Sequence, residues 1–283
     1  PEGRRPVGRA FPGVRADSAG GMCTLIALDR QLPGSPLVVA ANRDEFFERP
    51  AEGMALRASG SSRIVSPLDV RAGGTWLGLN SHRVFAAVTN RRCPSLDPSR
   101  RSRGLLVTTA LEARGAREAA DRVEDQLSQG ACNPFNFFVS DGEEAFALSL
   151  GFGELEPERV ALAPGTHVIG NVALAGELSP KLAALRKRAE PIARRPACEV
   201  LDALSDLCRL HDAEDPLSAA CVHTPSYGTR SSLLLRLGRS GGDLRYAEGA
   251  PCRAPYTDST PLLHELFRDE PRAEGAFTRG ARA

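Results

Sequence analysis

The chain has 283 residues, 42% of them hydrophobic, which is long enough to bury a sizeable core as one large domain or two small ones. Its 36 basic and 35 acidic residues nearly cancel and are interleaved, so no nucleic-acid or anionic-membrane surface is announced, and no apolar run reaches the roughly 18 residues of a membrane-spanning helix. Seven cysteines, an odd number without a CxxC pair, argue against a disulfide framework and a four-thiolate zinc site, and fit a reducing, cytoplasmic setting.

Residues 1–22 are rich in Pro, Gly and Arg with no apolar periodicity, and read as a disordered leader or pro-segment. From Cys23 to about Asn90 the pattern is strand-like. Candidate strands run from Cys23 to Leu28, Pro36 to Asp44, Met54 to Ala58, Thr75 to Leu79 and Val84 to Thr89, and they are expected to form one contiguous sheet. A helix is predicted from about Arg103 to Leu127, despite Gly115. Strands follow at Phe135 to Val139, Glu144 to Leu150, Glu158 to Leu162 and His167 to Gly170. Two shorter helices then fit Ser179 to Glu190, with Pro180 in its first turn, and Cys198 to Leu210. A hairpin from Ser231 to Leu237 and Leu244 to Ala247 ends the patterned region, and 268–283 reads as a flexible tail. Strands and helices in blocks, rather than alternating βαβ units, predict an α+β fold with two sheets face to face and helices outside, over a single domain at 23–267.

Cys23 is the first candidate for chemistry. It follows Met22, and if the polypeptide begins at Cys23 its thiol sits beside its own α-amine. An amine with a reference pKa of about 7.7–8.0 can take the proton of a thiol near about 8.5 with little penalty. Read from the residues alone, Cys23 at the head of the apolar run Thr24 to Leu28 fits a buried strand residue as well as a nucleophile. The five histidines are dispersed without an HExxH pattern, so no metal site is expected.

Further motifs punctuate the chain. They are Ala41-Asn42-Arg43-Asp44-Glu45-Phe46, Gly73-Gly74-Thr75-Trp76-Leu77-Gly78, Ala87-Val88-Thr89-Asn90, Arg103-Gly104-Leu105-Leu106-Val107, Asn133-Pro134-Phe135-Asn136 and Tyr227-Gly228-Thr229-Arg230-Ser231. In an extended segment Asn42 and Asp44 share one face and Ala41 and Arg43 the other, so Asn42 and Asp44 are both expected to face Cys23 from a neighbouring strand. Taken singly, Asp44 and Glu45 equally fit ion pairing with Arg43 and Arg49, and Trp76 a core position.

In this order the motifs resemble the NRDE-motif family, which includes the transport and Golgi organisation protein 2 relatives and is associated with haem trafficking and acyl-CoA or lipid metabolism. That family in turn is similar to the N-terminal nucleophile hydrolases, whose fold is a four-layer αββα sandwich. The resemblance implies Cys23 as nucleophile and Asp44 as the carboxylate orienting its amine. It further implies Asn90 and Asn171 as oxyanion-site amides and Arg230 as a stabilising cation. Asn42, Arg43, Trp76 and Tyr227 are the candidate binding residues. Where the acylases carry an arginine this chain has Ala41, so a cation beside the thiol is expected to be missing or supplied differently. The implied activity is hydrolysis of a small acyl amide or thioester, with no resident cofactor. The alternative is a non-catalytic carrier of haem or an acyl-CoA on the same scaffold.

Overall fold

The computed structural model describes residues 23–174, 178–238 and 241–268; the expected leader at 1–22 and all but the first residue of the expected tail lie outside them. The strands are β1 (Thr24–Leu32), β2 (Ser35–Phe46), β3 (Ala51–Ser59), β4 (Ser62–Asp69), β5 (Leu77–Asn80), β6 (Phe85–Asn90) and β7 (Phe135–Ser140), followed by β8 (Ala145–Leu150), β9 (Glu158–Ala161), β10 (Gly165–Ile169), β11 (Tyr227–Gly238), β12 (Gly241–Ala247) and β13 (Thr257–Asp258). The helices are α1 (Gly104–Ala110), α2 (Ala116–Ser128), α3 (Pro180–Ala189), α4 (Ala197–Cys208) and α5 (Thr260–Leu266). Among the described residues no helix is long and apolar enough to cross a membrane.

The strands build two antiparallel sheets, in the orders β10-β1-β2-β11-β12-β13 and β3-β4-β5-β6-β7-β8-β9. The N-terminal strands therefore do not form the single sheet expected. After β2 the chain leaves the first sheet and starts the second, and it returns only at β10. The side-chain period of two explains the layering. On β1, Leu25 and Ala27 join the cluster between the sheets, where Leu37, Val39, Phe85 and Phe138 also lie. Ile26 and Leu28 on the opposite face pack against α3 and α4 through Leu182, Leu185, Leu201 and Leu204. In the second sheet Val84, Ala86 and Phe137 pack against α1 and α2 through Leu106, Val107, Ala120 and Val123. Central strands buried on both faces read as nearly unbroken apolar runs. The layers are α, β, β and α, the four-layer α+β sandwich.

The predicted helix from Arg103 to Leu127 is two helices. It breaks over 111–115, where Gly115 is extended ahead of α2. The carbonyls freed there are satisfied by the buried Asn80 side chain, whose Nδ2 donates to the Leu111 and Ala113 carbonyls at 2.9 and 2.7 Å. Strand β4 was not expected, because Ser66 and Pro67 interrupt its short apolar run. It nonetheless buries Ile64 on the helix face and Val65 between the sheets. Helix α5 was likewise not expected, and covers the sheet interface with Leu263 and Leu266.

Candidate active site

Cys23 immediately precedes β1, one step beyond the Thr24 and Asn42 pairing that sets β1 against β2. Its Sγ lies 3.7 Å from the backbone carbonyl of Asp44. A bulge in β11 between Thr229 and Ser231 sets Thr229 opposite Asp44 on β2. The Thr229 hydroxyl donates to Asp44 Oδ1 at 2.5 Å and accepts from the Val222 backbone N–H at 2.8 Å. Asp44 is 1% exposed, and its Oδ2 has no hydrogen-bond partner among the described residues.

Burial dominates the electrostatics. It pushes the Cys23 thiol up to about 12; the Asp44 charge adds to this, while the Asp44 backbone hydrogen bond and the Arg43 charge oppose it. Burial also lifts the Asp44 carboxyl to about 7, against the charge of Lys181 and the Thr229 hydrogen bond. Lys181 on α3 is itself held below the usual lysine range by burial, with the Asp44 and Cys23 charges working the other way. A thiol in this setting rests protonated, so its use as a nucleophile needs a base.

Cys23 and Asp44 line a cleft of about 90 Å³ together with Arg43, Trp76, Asn90 and Arg103. The cation beside the thiol, expected to be missing or supplied differently, is Arg43. Its guanidinium stacks over the Trp76 ring at 4.1 Å, with Glu45 Oε2 3.7 Å away. A glycine pair precedes Trp76 by two residues. Gly73 takes φ 74°, and a Cβ on Gly74 would come within 2.5 Å of the Gly104 backbone, which forms the far wall. Asn90, at the end of β6, reaches the same cleft.

Four of the expected site residues do not line the Cys23 cleft. Asn42 faces α4 instead of Cys23, with Nδ2 donating to the Cys208 and Ala220 carbonyls at 2.9 and 2.8 Å. It positions the strand rather than lining the cleft. Asn171, past β10, lines a neighbouring cleft of about 570 Å³ with Arg92 and Lys181, and its buried Nδ2 has no partner among the described residues. Arg230 closes the end of β2, with Nη1 donating to the Phe46 and Phe47 carbonyls at 3.0 and 2.6 Å. Tyr227 is buried edge-on against Phe46, with ring centroids 5.3 Å apart.

A larger cleft of about 550 Å³ adjoins the first and shares Arg43 and Trp76 with it; Thr229, Arg230, Tyr246 and Arg253 are among its other walls. Thr229, Lys181 and Arg103 were not singled out from the sequence. Thr229 and Arg103 stand inside two of the sequence motifs, which was their available signal. Lys181 carried none, since nothing local marks a lysine whose partners lie on β2.

A family model described as Transport and Golgi organisation 2 matches residues 22–250. The human Transport and Golgi organization protein 2 homolog is 28% identical over 238 residues, covering 72% of this chain and 83% of its own length. The Bos taurus homolog is 29% identical over 257 residues, covering 81% and 92%. Among solved structures, a mutant conjugated bile acid hydrolase from Clostridium perfringens superposes with a TM-score of 0.51 at 10% identity, covering 85% of this chain and 93% of the other. The likeness is one of fold.

Proposed function

We infer that this chain, which belongs to the Transport and Golgi organisation 2 family and has the fold of the N-terminal nucleophile hydrolases, is a cysteine-dependent hydrolase of small acyl amides or thioesters. The supporting observation is the half-satisfied carboxylate of Asp44. One oxygen is held by Thr229, while the other is buried with no partner among the described residues, and the Cys23 sulfur lies 3.7 Å from the Asp44 backbone carbonyl. A buried acceptor left in this way costs about 1–3 kcal/mol, and a cationic donor would relieve it. The α-ammonium of a Cys23 that begins the polypeptide is such a donor.

In this reading the neutral Cys23 amine takes the thiol proton as the sulfur attacks the acyl carbon. Asn90, which lines the same cleft as Cys23, donates to the oxyanion as the carbonyl becomes tetrahedral. The carbon–nitrogen or carbon–sulfur bond then breaks, the ammonium gives its proton to the leaving group, and the acyl group stays on Cys23. Water, deprotonated by the same amine, releases the acid and restores the thiol. Arg43 favours thiolate character in the small cleft, and with Trp76 it forms the passage to the larger one, where the rest of the substrate lies. The chemistry requires a reduced Cys23, which suits a reducing, cytoplasmic compartment.

The test is labelling with an electrophilic acyl probe. A chain prepared to start at Cys23 acquires the probe on that residue, whereas the Cys23→Ser variant and a chain retaining 1–22 do not. A folded chain starting at Cys23 that stays unlabelled defeats the reading. The carrier alternative draws on the larger cleft, whose volume falls within the range of about 300–1,000 Å³ for small-molecule sites. It predicts a Soret shift on haem titration that depends on Cys23 or a histidine, without turnover.

A further inference from the structure

Away from Asp44, four side chains that are scattered in the sequence converge. His211 follows α4, Cys221 and His223 lie on the approach to β11, and Cys252 lies beyond β12. Their ligand atoms all fall within 4.8 Å of one another. Cys221 Sγ is 3.6 Å from Cys252 Sγ and 3.6 Å from His223 Nε2, and His223 Nε2 is 3.1 Å from Cys252 Sγ. The His211 and His223 rings lie 5.1 Å apart, tilted by 32°.

These separations can be compared with a tetrahedral centre. Zinc–sulfur bonds of about 2.3 Å and zinc–nitrogen bonds of about 2.0–2.1 Å give tetrahedral edges of about 3.8 Å between sulfurs and about 3.6 Å between sulfur and nitrogen. Two of the three measured edges lie within about 0.2 Å of those values, and the third is shorter by about 0.5 Å. Two thiols alone would fit a disulfide, but a disulfide does not account for two imidazoles closing on the same point.

We propose that His211, Cys221, His223 and Cys252 bind a single zinc ion in a closed, structural Cys2His2 site. Two thiolates with two imidazoles suit zinc over harder cations, and four protein ligands leave no open position for substrate. On binding, each cysteine thiol loses its proton to solvent, and the two thiolates neutralise the dication.

The location gives the site a task. Cys221 and His223 flank Val222, whose N–H donates to the Thr229 hydroxyl and whose carbonyl accepts from the Thr229 N–H at 2.9 Å. The same hydroxyl holds Asp44. The Cys221 N–H also donates to the Leu210 carbonyl at 2.9 Å, beside His211. A metal there staples the segment after α4 and the loop after β12 to the short stretch that fixes the Asp44 carboxylate.

The measurement is metal content of the full chain purified without chelator, followed by cobalt(II) substitution. The expected result is about one zinc per chain, and a cobalt form with thiolate charge-transfer and the intense visible bands of tetrahedral geometry. His211 is exposed, so His211→Ala keeps the fold while weakening zinc binding by at least the 10–100-fold, roughly, that even outer-sphere changes cost. Cys252→Ser lowers the charge-transfer band to about half, the share of the remaining Cys221 thiolate, and Cys198→Ser, at an exposed thiol outside the cluster, leaves it intact. Metal-free protein that gives only the weak spectrum of octahedral cobalt overturns the proposal. So does mass spectrometry finding Cys221 and Cys252 joined as a disulfide.

Discussion

Freeing the Cys23 amine should change how stability depends on pH, and the size of the change follows from Asp44. With Cys23 in peptide linkage, burial lifts the Asp44 carboxyl from 3.8 to about 7. The folded state then holds a proton that the unfolded state has released, so unfolding free energy falls as pH rises from about 4 to about 7. About three pKa units at about 1.4 kcal/mol each makes the loss up to about 4 kcal/mol, absent below pH 4 or so and complete above about 7. In a chain that starts at Cys23, an ammonium beside Oδ2 favours the charged carboxylate. The Asp44 pKa returns toward its unfolded value, and the loss disappears. Urea denaturation of both chains across about pH 4–8 measures this directly. Asp44→Asn in the longer chain should flatten its profile as well. Superimposable profiles for the two unsubstituted chains would refute the pairing of Asp44 with the amine.

Asn90→Ala should lower acyl-substrate turnover by about 10²–10³ while leaving thermal stability nearly unchanged, as expected of an oxyanion donor; a loss of stability without a loss of turnover would reassign it to structure. Thr229→Val strands both Asp44 Oδ1 and the Val222 N–H, and should cost about 1–3 kcal/mol for each group in denaturant unfolding. Phe138→Ala opens a cavity between the sheets beside Phe85, whose ring centroid is 6.3 Å away, and should cost about 3–5 kcal/mol; a smaller loss would mean that the two sheets can close over the gap.

The layered α+β architecture was legible because each central strand carries apolar residues on both faces, as in Leu25 to Leu28 and Leu37 to Ala41. Its sheet membership was not, because periodicity reports which face a residue occupies and not which strand lies beside it. Nothing local to β2 says that its outer neighbour is β11, nearly 200 positions later, as in the Ser232 and Ala41 contact 191 residues apart. Cys23, Asp44, Arg43, Trp76 and Asn90 were all visible as motif residues, and they share one cleft. Asn42 was expected to face Cys23 and Arg43 to face away, and the structure reverses the two, since which of two alternating faces meets the cleft depends on the layer packed outside the sheet. Tyr227 and Arg230 lie in a motif that serves the end of β2 through packing and backbone carbonyls. The His211, Cys221, His223 and Cys252 cluster had only the short Cys221-Val222-His223 spacing as a local sign, and its fourth ligand lies 29 residues beyond His223.

The most direct test of Cys23 activation by its own amine is the rate of thiol alkylation as a function of pH, read by peptide mass spectrometry. A chain beginning at Cys23 should react at neutral pH, with an apparent pKa well below the value of about 12 set by burial, and Asp44→Asn should slow it. Equal rates for that chain and for one retaining 1–22, both folded, would contradict the account.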